Sequence, residues 1–275
     1  MLMKFLSFVA PNFLAKKVIH KFRHPSIKKL RERELDMLKS AEQAKLPFRD
    51  HQICTYRWKA SKAKGNGKEV FLVHGWEGQA GNFADFIPHL LDAGFDVFAF
   101  DAPGHGFTES EDTSIMEFLD VLSFLLETEQ AAYLVSHSFG GVACTYALSR
   151  IDLKVKKYLL FATPNSFSER IRDIAAQVGV SERVVNLVKE KLQKESETRL
   201  EDLSVSQFIR KVHVDEALIL HDKNDQVIGI EQAETVHRSW AASKMLTIEG
   251  TGHFRILRDK STLEIGLQFL NGDQH

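Results

Sequence analysis

Leu134-Val135-Ser136-His137-Ser138-Phe139-Gly140-Gly141 is a β-prone run that ends in a serine flanked by very small residues and then continues into helix-compatible sequence. The layout predicts a strand, a sharp corner and a helix, with Ser138 held on the corner so that its Oγ projects above a sheet. The backbone behind such a corner passes close to its neighbours, so the positions two before and two after must be small. Gly140 meets this requirement fully. Ser136, where the G-x-S-x-G pattern has glycine, meets it with a small β-carbon. Taken alone, the octapeptide also fits an ordinary βα turn, and the rest of the chain decides between the two.

A nucleophilic serine needs a base and a carboxylate that orients it. Downstream, Ala217-Leu218-Ile219-Leu220-His221 reads as a buried strand, and Asp222-Lys223-Asn224-Asp225-Gln226-Val227 follows it with two carboxylates in a turn-rich segment. Lys244 to Glu249 reads as a last short strand, closed by Gly250-Thr251-Gly252-His253-Phe254, whose glycines let a loop histidine swing back over the sheet. Among twelve histidines, His253 is the one placed at the end of that strand. Upstream, Val70-Phe71-Leu72-Val73 ends in His74-Gly75-Trp76, and Val97-Phe98-Ala99-Phe100 ends in Asp101-Ala102-Pro103-Gly104-His105-Gly106, a D-x-x-G-x-G turn.

These five segments, in this order, resemble the α/β-hydrolase superfamily from about His51 to the C-terminus. The likeness is closest to bacterial single-domain hydrolases with a basic N-terminal extension, a His-Gly-Trp loop and a Gly-His loop that continues as Arg255-Ile256-Leu257-Arg258-Asp259. The resemblance implies a Ser, then acid, then His order, with Ser138 as nucleophile and His253 as base. It points to Asp225 as the acid, with Asp222 as the competitor whose ordinary role is a turn cap. It also implies an oxyanion hole made by the backbone N–H groups of Trp76 and Phe139, each worth roughly 3 kcal/mol when aimed at the developing charge. His74 is expected to tie its loop down, and Asp101 to Gly106 to shape the floor and one wall of the site.

The expected reaction is two-step acyl transfer to water on a small to medium, partly apolar ester or related acyl substrate. No metal or organic cofactor is required. Trp76, Phe139, Phe167 and Phe254 are expected to line the pocket. A serine at the corner argues against haloalkane dehalogenase or epoxide hydrolase chemistry, which in this fold uses an aspartate there. Two other readings are a membrane-surface lipid acyl hydrolase and a non-catalytic binding module on the same fold.

The wider pattern is alternating strand and helix, so the expected fold class is α/β, with a mostly parallel central sheet flanked by helices. Strands are expected at residues 52–58, 69–74, 96–101, 131–137, 157–162, 216–221 and 244–249, with helices near 82–93, 114–128, 139–150, 230–241 and 262–270. Residues 164–215 break the rhythm with three amphipathic helical patterns, at 167–178, 182–194 and 203–212. That interval is expected to form a small helical cap over the pocket, or a helical pack beside the sheet. The chain length suits one large domain.

Charge is uneven. Through Ala60 there are 14 Lys and Arg against 5 Asp and Glu, and afterwards 22 against 32. Residues 1–50 are therefore read as a basic helical arm, ahead of a hydrolase domain over residues 51–275. The apolar run of residues 1–10 is short and is followed by Pro11 and Asn12, with cationic helical sequence beyond. An arm packed on the body is expected rather than a cleaved leader, with peripheral contact to anionic lipid as a further possibility. The basic stretch has no nucleic-acid motif or interleaved stacking aromatics, so no nucleic-acid partner is expected. Cys54 and Cys144 read as buried apolar side chains, and a cytoplasmic location is expected.

Overall fold

The computed structural model describes residues 7–26, 29–194 and 199–272. The start of the leader-like run, Met1 to Leu6, lies outside the described residues, as do residues 27–28 of the arm, 195–198 of the 164–215 interval and 273–275.

Among the described residues one sheet holds β1 (Glu42–Phe48), β2 (His51–Trp58), β3 (Glu69–Val73), β4 (Asp96–Phe100), β5 (Tyr133–His137), β6 (Lys154–Phe161), β7 (His213–Asp222) and β8 (Ser243–Ile248). Their order across the sheet is β1-β2-β4-β3-β5-β6-β7-β8. β2 runs antiparallel to β1 and to β4, and every other pairing is parallel. The central strands are apolar along their whole length because helices cover both faces. Phe71, Val73 and Leu134 enter one core with Phe118, while Val70, Leu72 and Val135 enter the other with Phe86 and Leu263.

The order places β4 on one side of β3 and β5 on the other, so the chain reverses its direction of travel across the sheet at β3. Loops leaving the carboxyl ends of the strands on either side of such a reversal open a crevice. Val73 pairs with Ser136, which sets the loop after β3 directly beside the corner after β5.

Three expectations change. β1 lies within residues 1–50, which the sequence assigns to a helical arm. Its residues Glu42 to Phe48 are mostly exposed on both sides, so no apolar alternation marks it, and Pro47 is tolerated because the strand is an edge. The helix expected near 82–93 is shorter, with a 3-10 turn at Ala80–Phe83 and a helix at Ile87–Asp92 that carries Pro88 in its first turn, where no helical N–H partner is lost. The pattern at 203–212 yields only Val205–Phe208 as α-helix. There the backbone is spent on a bridge between Ser166 and Ser204, with Phe167 N–H on Leu203 O and Val205 N–H on Asn165 O.

The interval between β6 and β7 carries helices Phe167–Val178 and Glu182–Gln193. Helix Pro11–Arg23 of the arm packs on the second of them, burying Leu14 and Ala15 in the same core as Val184, Val185 and Val188. Among the described residues no helix is long and apolar enough to cross a membrane.

Candidate active site

Ser138 occupies the corner between β5 and the helix Phe139–Leu148, at φ 55° and ψ −127°. A β-carbon at positive φ is strained, so the surroundings must hold it there. They do so with Ser138 N–H on Phe161 O at 2.9 Å and Gly141 N–H on Ser138 O at 2.9 Å. Gly140 is required by contact, because a β-carbon there would stand 2.6 Å from the carbonyl oxygens of both Val73 and His74.

Ser136 replaces the usual glycine two residues earlier. It is fully buried, and its hydroxyl pairs with the Tyr158 hydroxyl at 2.9 Å. The extra oxygen is thus satisfied inside the core, as a buried hydroxyl must be, and the corner forms without a glycine at that position.

His253 lies on a single helical turn, Gly252–Arg255, after β8, and its side chain is almost wholly buried. Nδ1 is 2.8 Å from Asp225 Oδ2, and Nε2 is 3.0 Å from Ser138 Oγ. A carboxylate only accepts, so Nδ1 carries the proton, and in the neutral ring the Nε2 lone pair faces the serine hydroxyl. Burial would raise the Asp225 carboxyl, but the hydrogen bond from His253 and the N–H groups of Ile228 and Val227 outweigh it and hold it below the ordinary range.

Asp222 does different work from Asp225. Oδ1 accepts from Asn224 N–H at 2.8 Å, the turn-cap contact. Oδ2 accepts from Thr251 N–H at 2.5 Å, Thr251 Oγ1 at 2.9 Å and Gly252 N–H at 2.8 Å. It therefore pins the loop that carries His253. Burial again opposes its ionisation, and these donors win, lowering its pKa.

Two histidines absent from the sequence-derived site stand behind this trio. His137 Nε2 donates to the carbonyl oxygen of His253 at 2.8 Å, with ring centroids 4.9 Å apart. Burial, helped by the neighbouring His253, pushes the His137 pKa down to about 3, so the ring stays neutral. His221 Nε2 donates to Ile228 O at 2.9 Å and lies 3.7 Å from Asp225 Oδ2, and burial lowers its pKa as well. Adjacency to Ser138 was the available signal for His137. His221 looked like any residue at a strand end.

The loop after β3 rests on the corner. A β-carbon on Gly75 would stand 3.0 Å from Ser138 Cβ and 3.5 Å from Phe139 N. Phe139 is the first residue of its helix, so its N–H has no partner within the helix. His74 holds the loop as a neutral ring, with Nδ1–H on Gly75 O at 2.8 Å and Nε2 accepting Ala102 N–H at 3.1 Å. Burial pushes its pKa down to about 3. Buried Asp101 ties the next turn together, accepting from Tyr56 Oη, Ala80 N–H and Phe107 N–H.

Of the expected pocket residues, Trp76 and Phe139 meet edge to face with ring centroids 5.7 Å apart, and Phe167, at the start of the inserted helices, meets Phe139 at 6.1 Å. Phe254 stands beside His253 and His137, with ring centroids 5.0 and 6.5 Å away. It is half exposed and meets the His253 ring edge to face.

Residues 69–179 match the family model described as the alpha/beta hydrolase fold. The chain is 26% identical over 152 residues to protein phosphatase methylesterase 1 of Saccharomyces cerevisiae, covering 46% of this chain and 38% of that protein. It is 30% identical over 100 residues to the pimeloyl-[acyl-carrier protein] methyl ester esterase of Stenotrophomonas maltophilia, covering 36% of this chain and 38% of that one. The matches thus span about two fifths of the length of these curated relatives. Among solved structures, a soluble variant of the Saccharomyces cerevisiae monoglyceride lipase superposes with a TM-score of 0.63 at 14% identity, over 84% of this chain and 93% of that one. Strand order, the corner after β5 and the matched family model agree, and the chain has the α/β-hydrolase fold.

Proposed function

We propose that the protein is a serine hydrolase that cleaves a carboxylic ester, or a related acyl bond, of a small to medium and partly apolar substrate. The observation that carries this reading is the hydrogen-bonded chain Asp225–His253–Ser138, with links of 2.8 and 3.0 Å, ending on a serine in a strained corner. Ser138 Oγ attacks the substrate carbonyl while His253 Nε2 takes its proton, and Asp225 holds the ring and stabilises the imidazolium. The N–H groups of Trp76 and Phe139 receive the oxyanion. His253 returns the proton to the leaving alcohol, which departs to leave an acyl group on Ser138. Water, with His253 as base again, then releases the acid.

Trp76, Phe139 and Phe167 form the apolar side of the pocket in this reading, and the helices between β6 and β7 act as a small cap, entering the site through Phe167. The curated relatives are named for methyl esters, which favours a small alcohol as leaving group here. The test is hydrolysis of p-nitrophenyl esters from acetate to palmitate. Turnover that is greatest at short to medium acyl lengths and vanishes in Ser138→Ala supports the proposal. Wild-type turnover that survives in Ser138→Ala refutes it.

A further inference from the structure

The arm helix Pro11–Arg23 has an inner and an outer face. Pro11, Leu14, Ala15, Val18, Ile19 and Phe22 recur at three- and four-residue spacing, are buried or half-buried, and account for the packing on the body. The outer face carries Phe13, Lys16, Lys17 and Lys21, all exposed, and Phe8 and Val9 lie exposed just ahead of the helix. Phe8 is 80% exposed and Phe13 54%. Large apolar side chains left in water at the tip of a helix that already buries its inner face are not explained by the fold.

Charge points to what meets this face. Residues 1–31 hold eight Lys and Arg and no Asp or Glu. Lys17 Nζ sits 5.0 Å from the centre of the Phe13 ring, so cation and aromatic share one patch. An aromatic tip flanked by lysines matches a bilayer interface, where rings enter the acyl boundary and ammonium groups stay among anionic headgroups.

We propose that the outer face of this arm docks the protein on an anionic lipid bilayer. The arm is fixed to the body at both ends. Ser181 N–H donates to Ser7 Oγ at 3.1 Å beside the inserted helices, and Ser26 N–H donates to Glu77 Oε1 at 3.1 Å, one residue after Trp76. Docking therefore holds the hydrolase body at the bilayer rather than on a loose tether, and it brings the inserted helices and the loop after β3 with it. The proposal concerns binding and stands whether or not Ser138 is a nucleophile.

The test is flotation of the full chain with vesicles of phosphatidylcholine alone and of phosphatidylcholine mixed with phosphatidylglycerol. Binding to the mixed vesicles only, weakened by high salt, is the expected result. Each lysine close to an anionic surface contributes about fivefold to the partition constant, so K16Q/K17Q/K21Q lowers it roughly a hundredfold. Phe8→Ser with Phe13→Ser lowers it at least about tenfold. Unchanged circular dichroism and thermal melting confirm that these exposed substitutions leave the fold intact. Absence of binding to the mixed vesicles overturns the proposal, as does wild-type partition in both variants. A self-association that the same variants abolish, without vesicle binding, overturns it in favour of a second copy on this face.

Discussion

Asp222 and Asp225 stand three residues apart in one turn, yet the structure gives them separable work, and substitution divides it. Asp222→Ala removes the acceptor for three donors on Thr251 and Gly252 as well as the Asn224 turn contact. Hydrogen bonds to a charged group contribute about 1.5–3 kcal/mol each, are not additive, and leave some donors a route to water when removed. A net loss of about 3 kcal/mol is expected, which for a chain of this size lowers Tm by roughly 6–12 °C. Asp225→Asn keeps an oxygen for the Val227 and Ile228 N–H groups, so its Tm should stay within about 3 °C of wild type. Its kcat should fall about 10⁴-fold, because an amide no longer enforces the productive His253 tautomer. Differential scanning calorimetry and ester kinetics on the two variants read both quantities.

The same pair sets a pH dependence. Both carboxyls have folded pKa values below their ordinary value, so the unfolded chain binds more protons and stability rises with pH through that window. Their contribution is complete above the ordinary carboxylate range and is lost as pH falls through the folded values. Asp222→Ala should flatten the acid limb of the stability profile. An Asp222→Ala protein with wild-type Tm, or an Asp225→Asn protein destabilised as much as Asp222→Ala, would refute this division of roles.

Ser138→Gly removes a β-carbon from a positive-φ corner and should raise stability by about 1 kcal/mol while abolishing turnover, read by thermal melting beside an activity assay. Gly140→Ala drives a β-carbon onto two main-chain carbonyls and should cost about 3 kcal/mol, with loss of soluble protein or of activity, measured by denaturant unfolding. Tyr158→Phe leaves the buried Ser136 hydroxyl without its partner and should cost about 1–3 kcal/mol. Adding Ser136→Ala should restore most of that, a coupling that a double-mutant cycle measures directly.

The fold was legible wherever burial imposed a pattern. Val70 to Val73 and Leu134 to Ser136 are apolar or small throughout because both faces are covered, and Phe167–Val178 repeats at helical spacing because one face is. β1 escaped because an edge strand exposed on both sides carries no such pattern, and Pro47 argued against it. The serine corner was legible because sterics restrict its flanks, although the Ser136 exception could be understood only with Tyr158 beside it, a residue 22 positions away.

The family resemblance favours Asp225 over Asp222, and the distance to His253 supplies a physical ground for that preference, since both sit in the same turn and both are buried. His137 and His221 were hidden for another reason. Each acts through one hydrogen bond to a main-chain oxygen, of His253 and of Ile228, and such bonds leave no spacing in the sequence.

The most direct test of Ser138 as an acyl-accepting nucleophile is intact-mass and peptide-mapped labelling with a fluorophosphonate, on wild type, Ser138→Ala and His253→Ala. One adduct per chain on the peptide bearing Ser138, absent from Ser138→Ala and strongly slowed in His253→Ala, is the predicted result. A folded wild type that takes no label, or one labelled equally in Ser138→Ala, would contradict the account.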